Sequence, residues 1–232
     1  MYRFTMISMY KNFIGKLPCF DGIPALLIRL YLAPVFIIAG YSKLQLGNPD
    51  VSGLASLMAD PNIVAWFGNE DWGLGLPFPT LLANLAAWTE FLGGWLLVFG
   101  LLTRLISIPL MFTMIVAATT VHLEHGWFAV TPTNPDTSSA KVLDWVGIDS
   151  AKASLENSQE AAKRLDAMRS LLEENGNTDW LYETGNIVVL NNGIEFSTTY
   201  FIMLLALFFI GAGRFTSVDY FIDKKLAKPT EF

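Results

Sequence analysis

Apolar residues fall into four runs separated by polar stretches of very unequal length. The runs cover residues 24–44, 79–102, 105–123 and 196–213. Each comes near the roughly 20 residues that carry an α-helix across a bilayer. The spacing therefore predicts an all-α membrane protein: a four-transmembrane-helix bundle with a polar, mainly helical extracytoplasmic insertion between helices 3 and 4. The first span holds Pro34, which is expected to kink it, and closes on Gly40, Ser42 and Lys43. Thr103-Arg104 leaves room only for a very short turn, so spans 2 and 3 are expected to run antiparallel.

Ahead of the first span, Phe4, Ile7, Tyr10, Phe13, Ile14 and Leu17 recur at roughly helical spacing among Arg3, Lys11 and Lys16. This reads either as an amphipathic helix lying on the membrane surface or as a partly ordered tail. No long apolar core leads to a small-residue cleavage site, so a cleavable signal is not expected. The loop 45–78 carries turn signals at Asn48-Pro49-Asp50 and Asp60-Pro61-Asn62, with Trp66 and Trp72 suited to an interface. In the insertion 124–195, a soluble helix is expected over 150–175, with a narrow stripe of Leu155, Ala162, Leu165, Met168 and Leu172. Gly176 is its stop, and Glu160–Arg164 has ion-pair spacing. Ile187–Leu190 followed by Asn191-Asn192-Gly193 reads as a short strand and turn. The insertion holds too little apolar material for a core of its own and is expected to cap the bundle. The tail 214–232 opens with Thr216-Ser-Val-Asp219, which resembles a capping box before a short interfacial helix.

Composition narrows the class further. Hydrophobic residues make up 53% of the chain and charged residues only 16%, too apolar for an ordinary soluble domain. Most of the net charge of −6 comes from residues 124–195, which hold 12 acidic and 5 basic side chains. No basic stripe interleaved with aromatics occurs, so nucleic acid is excluded as a partner. The single cysteine, Cys19, rules out an intrachain disulfide, a C-x-x-C redox pair and a cysteine zinc site. Orientation follows from the basic residues beside the spans. Arg3, Lys11 and Lys16, then Arg104, then Arg214, Lys224, Lys225 and Lys228 mark one side, while the loop 45–78 has no Lys or Arg. Both termini are expected in the cytoplasm of a bacterial cell, with the chain in its inner membrane.

Glu90 is the residue that demands a reason. A carboxylate at bilayer depth costs about 3 kcal/mol on insertion scales. Helix rise places it ~16 Å from Pro79, near mid-bilayer. Ala83, Ala86, Ala87, Gly93 and Gly94 share its face, so it lies on the small-residue seam where helices approach closely. It is either a proton-relay or ligand carboxylate, or a structural one held between helices. Arg29, one turn inside the first span and shallow enough to snorkel, and Lys43 at its outer end are both candidate partners. Lys43, His122, Glu124, His125 and Glu195 all map to the outer membrane edge. With Glu90 as floor they outline a polar cavity. His122 and His125, three apart, suit copper or zinc ligation together with Glu124, or ordinary hydrogen bonding. Met111 and Met114 offer a soft path inward or simple packing. Arg104, Arg214 and Asp219 map to the inner edge and read as structural anchors.

These residues carry a resemblance. Arg29…Gly40-Tyr-Ser-Lys43, Glu90-Phe-Leu-Gly-Gly…Gly100-Leu-Leu-Thr-Arg104, His122, Glu195 and Gly211-Ala-Gly213-Arg-Phe-Thr-Ser217-Val-Asp219 resemble the DoxX family of four-helix bacterial inner-membrane proteins. Ala65–Pro79, Asn175–Trp180 and Asn191–Phe196 look like its HvfX-type branch, found beside maturation enzymes for copper-binding modified peptides (bufferin-like RiPPs). The family implies a membrane subunit beside redox partners, as in thiosulfate:quinone oxidoreduction. The branch implies an accessory role in maturation, export or metal handling of a copper-binding peptide. Three functions stay open: a non-enzymatic accessory protein, a quinone-holding subunit of an oxidoreductase complex, and a small transporter that would need homo-oligomers. Copper and quinone are the ligands left open. The lipid bilayer, and peptide-maturation enzymes with their peptide, are the implied partners.

Overall fold

The computed structural model describes residues 2–227, with side chains left aside for residues 2–5, 16, 18 and 19. Lys228 and the side chains of Arg3 and Lys16, all read above as orienting charges, lie outside the described residues. The chain divides into two compact units, one built from residues up to Thr120 together with Ser197 onward, the other from Val121–Phe196.

In the first unit, α1 (Tyr2–Lys16) leads through a single-turn segment into α2 (Gly22–Lys43). Met6, Met9, Tyr10 and Phe13 of α1 are well exposed. α2 continues as helix through Pro34. Then come α3 (Pro61–Gly68) and α4 (Pro79–Phe99). α4 ends three residues before the expected Leu102, because Gly100 takes the left-handed conformation with φ 63° and closes the helix. The turn is Gly100–Leu102, and Thr103 is already the first residue of α5 (Thr103–Ala117). That helix continues as a π segment over Ala118–His122 and a 3₁₀ turn over Leu123–His125.

The helices 22–43, 79–99 and 103–125 are long and apolar enough to span a bilayer. The fourth apolar helix, which closes this unit, covers only Glu195–Ile210. It stops short of the expected 213 because Gly211 and Gly213 adopt φ of 82° and 93°.

α2 and α4 pack antiparallel along small residues. Ala25, Ala33, Phe36 and Gly40 on α2 are buried, as are Ala83, Ala87, Gly93, Gly94 and Leu97 on α4. A Cβ at Gly40 would fall 2.6 Å from the Ala87 carbonyl oxygen and overlap the Phe91 backbone. A Cβ at Gly94 would fall 2.9 Å from the Ala33 carbonyl oxygen. Backbones this close gain dispersion contact over a long seam, the means by which apolar helices associate where no hydrophobic effect separates them. Leu32, Leu97, Leu110, Leu204 and Leu207 fill the remaining core.

The second unit holds α6 (Ala140–Trp145), α7 (Asp149–Asn175) and α8 (Thr178–Tyr182), and the start of α9 (Glu195–Ile210). α7 and its stop at Gly176 fall where the sequence places them. Glu160 pairs with Lys163 at 2.7 Å, one residue short of the expected Arg164. Among the described residues no β-strand forms, and the expected strand over 187–190 reduces to one bridge between Val130 and Leu190. Buried residues include Ala129, Ala140, Ala151, Leu165, Thr131 and Ser158, so small side chains rather than bulky apolar ones close this unit.

Gly40→Ala is expected to cost about 1–3 kcal/mol through overpacking. Gly15→Ala in α1, where nothing lies within 4 Å of the added carbon, is expected to be neutral or slightly stabilising. Thermal unfolding of the purified chain in detergent reads both, and equal melting of the two variants contradicts the close-seam account.

Candidate functional site

The antiparallel seam fixes which polar residues meet. Side chains on a helix lean toward its N-terminus. Lys43, at the end of α2, therefore runs back along its own helix, while Glu90 leans toward the start of α4. In antiparallel neighbours the two leanings converge. Lys43 Nζ donates to Glu90 Oε2 at 2.5 Å and to the Ala39 carbonyl at 3.2 Å. The Glu90 side chain is 8% exposed and that of Lys43 22%. The open choice of partner for Glu90 is thus resolved in favour of Lys43.

Aromatic rings stand beside the pair. Phe91 lies 6.3 Å from Tyr41 and 6.0 Å from Trp88, centroid to centroid. The loop after α2 is stitched down at the same end. The Asp60 amide donates to the Lys43 carbonyl, and the Gln45 amide donates to the Met58 carbonyl. The Ala59 amide donates to Asn84 Oδ1 at 2.9 Å, and Trp88 Nε1 donates to the Leu57 carbonyl at 2.9 Å. Ala59, Phe67 and Ala83 form a small core that holds α3 against α4. Residues 55–60 therefore make a fixed roof beside the Lys43–Glu90 pair. The sequence reading missed this roof. Its only signal was a pair of polar atoms, on Asn84 and Trp88, in the first half of an otherwise apolar helix.

Arg29 is not where the sequence reading put it. It neither snorkels to headgroups nor joins Glu90, and its side chain is fully buried. Nη1 donates to the Leu97 carbonyl at 3.0 Å and the Val98 carbonyl at 3.3 Å, and Nη2 donates to the Thr216 carbonyl at 2.8 Å. The physical reason is the end of α4. Its last carbonyls lack the usual amide four residues on, Leu97 accepting among backbone amides only from Gly100 at 3.2 Å, and a cation there is favoured by the helix dipole. A Cβ on Gly100 would collide with this guanidinium and with Ser217, so glycine is required there for space as well as for φ.

Asp219 completes the same end. Its carboxylate accepts from the Leu102 amide at 2.7 Å and the Thr103 amide at 2.9 Å, and so caps α5 from outside. The expected capping box at Thr216–Asp219 is replaced. Ser217 caps α10 (Val218–Leu226), accepting from the Tyr220 amide at 3.3 Å. Arg104 donates to the Phe209 carbonyl at 3.2 Å, and Arg214 lies 3.9 Å from Asp21. Arg29, Arg104, Arg214 and Asp219 thus all meet helix ends.

The remaining expected site residues, His122, Glu124, His125 and Glu195, belong to the second unit. His122 Nδ1 donates to the Asn192 carbonyl at 2.8 Å, which leaves its lone pair on Nε2. His125 Nε2 lies 3.5 Å from Glu124 Oε1. Glu195 Oε2 accepts from the Ala129 amide at 3.0 Å. Asn191 Nδ2 donates to the His125 and Phe128 carbonyls at 2.6 and 2.7 Å. These bonds hold the segment 122–129 against 191–195. The helical face that His122 and His125 were expected to share is broken by the change from π to 3₁₀ geometry between them. Among the described residues no group of three or more His, Cys, Asp or Glu side chains is arranged to hold a metal ion. On the surface of this unit, the hydrogen bond from Lys141 holds the Asp136 carboxyl below the usual carboxylate range.

Three apolar helices long enough to span a bilayer, with an ion pair buried between the first two, define a multi-pass helical membrane protein. Residues 25–123 match the DoxX family model, a stretch that includes Arg29, Lys43, Glu90 and Arg104. Comparison with curated proteins and with solved structures finds no match.

Removing one member of a buried pair leaves an uncompensated charge, which is strongly destabilising, whereas replacing both is often neutral. Because Lys43 is partly exposed, Lys43→Met is expected to cost about 2 kcal/mol, and the double change Lys43→Met/Glu90→Met to restore most of it. Melting temperatures of Lys43→Met, Glu90→Met and the double variant test this; additive losses contradict a direct pair. Asp219→Ala is expected to cost about 1–2 kcal/mol through loss of the α5 cap, read in the same melts.

Proposed function

We propose that this chain is a DoxX-type membrane accessory protein, not an enzyme on its own, which assists maturation, export or metal handling of a copper-binding modified peptide. The observation that carries the accessory reading is the Lys43–Glu90 pair, inside the matched segment and beside the roof formed by residues 55–60. A buried ion pair adds little stability compared with apolar packing, so its presence in a membrane helix seam favours a working role. In this reading the pair engages the cargo or partner, α9 with the turn after it completes a fourth span, and both termini face the cytoplasm of a bacterial inner membrane.

The peptide clause rests on the branch-level resemblance of 65–79, 175–180 and 191–196. Copper enters as cargo held by the peptide, because the chain's described residues do not by themselves form a metal cage. His122, with Nε2 as its lone-pair nitrogen, is the residue suited to approach it.

A second reading, a quinone-interacting subunit of an oxidoreductase complex, is favoured by Tyr41, Trp88 and Phe91 grouped beside the ion pair.

Affinity purification from native membranes separates the two. Wild type is expected to bring down peptide-maturation proteins or their peptide, and Glu90→Gln to lose at least tenfold of that yield. Copper titration of the purified chain without peptide is expected to give the same weak isotherm for wild type, His122→Ala and His125→Ala. Quinone in the lipid extract that disappears with Glu90→Gln, with no peptide partner recovered, overturns the accessory reading in favour of the second.

A further inference from the structure

The second unit contains a cavity of about 770 Å³ whose lining residues all belong to that unit. The size falls within the range of small-molecule sites, roughly 300–1,000 Å³. One wall is a serine stripe on α7: Ser150, Ser154 and Ser158 are four residues apart and so share a helix face. Ser158 Oγ donates to the Ser154 carbonyl at 3.0 Å and is fully buried, so the hydroxyls open to an occupant on this stripe are those of Ser150 and Ser154. The facing walls are apolar: Leu143 of α6, with Trp127 and Phe128 from the segment that follows the third apolar helix.

Two features fix the chemistry of the occupant. No Asp, Glu, Lys or Arg lines the cavity, and the one titratable lining residue, His125, lies 3.5 Å from Glu124. A charged ligand would lose its hydration there with no permanently charged side chain in the lining to pair with, which is costly. The hydroxyl stripe on one side and the aromatic and aliphatic walls on the other ask for a molecule with oxygen atoms along one edge and an apolar body. The lining begins at His125, the last residue of the membrane-length helix 103–125.

We propose that this cavity is a binding site for an uncharged amphipathic molecule of single-chain-lipid size, separate from the Lys43–Glu90 pair and independent of the accessory reading.

Native mass spectrometry of the full chain released from detergent tests the proposal. The probes are monoolein, which is uncharged, and oleate, which has the same chain with a carboxylate. Wild type is expected to retain one monoolein saturably, at a concentration where oleate occupancy is at least tenfold lower. Ser154→Trp fills the serine stripe and is expected to reduce monoolein retention at least tenfold. Leu171→Trp, on an exposed part of the same helix away from the cavity, is expected to leave it unchanged. Equal retention of the two probes by wild type overturns the proposal without reference to any variant, as does retention that never saturates. If Ser154→Trp keeps its helical circular dichroism and retains monoolein like wild type, the cavity is not the site.

Discussion

A permanent positive charge buried inside a helical membrane protein must be surrounded by acceptors, and meeting that demand at Arg29 shapes the first unit. A guanidinium cannot shed its proton to escape burial. Its acceptors come from the last carbonyls of α4 and from Thr216. α4 must therefore stop at that level, and Gly100 both stops it and makes room for the charge. The turn that follows leaves Leu102 left-handed with φ 52°, a conformation costing a non-glycine residue roughly 1–2 kcal/mol. Asp219 offsets that cost by accepting from the Leu102 and Thr103 amides. One charge thus ties together the end of α4, the start of α5 and the segment leading into α10.

The same contact sets the register of the α2–α4 seam. With Arg29 fixed against Leu97 and Val98, antiparallel packing carries Gly94 to Ala33, Gly40 to Ala87, and finally Lys43 to Glu90. Arg29 and Lys43 are fourteen residues apart on one stripe of α2, yet their surroundings differ. Arg29 meets the carbonyls of Leu97, Val98 and Thr216 and the Thr216 hydroxyl, with Asp219 nearby, while its buried Nε has no hydrogen-bond partner. Lys43 meets a carboxylate that no helix end requires. Glu90 could be replaced by an apolar residue without leaving a backbone group unpaired, and so it stands apart from Arg29, the other buried charge among the described residues.

Much of this was legible in the sequence, and what was not has definite causes. The spans 24–44 and 79–102, the small-residue seam, and the long helix ending at Gly176 follow from hydrophobic runs and spacing, and their positions hold within a few residues. Arg29 misled because sequence depth alone makes a shallow arginine look free to snorkel. Its acceptors lie 68 and 187 residues away, and no local pattern announces them. Asp219 misled for a related reason: a capping sequence is read against the helix it precedes, whereas this carboxylate serves another helix 116 residues earlier. The roof over 55–60 is held by backbone groups and two polar side chains, which hydropathy does not register.

The second unit shows the opposite case, in which low apolar content concealed organisation. Its bulk of polar residues gave no reason to expect a defined interior. Yet Ala129, Ala140, Ala151 and Ser158 are buried because small side chains let backbone and helices approach, and Gly193 sits where a Cβ would meet the Gly126 and Phe128 carbonyls at 2.6 Å. Close backbone approach closes space without bulky side chains, and where it stops short, beside Ser150 and Ser154 of α7, a cavity remains. That cavity arises from the same small residues that made the segment look featureless. A short side chain is weak evidence for a core and good evidence for room beside one.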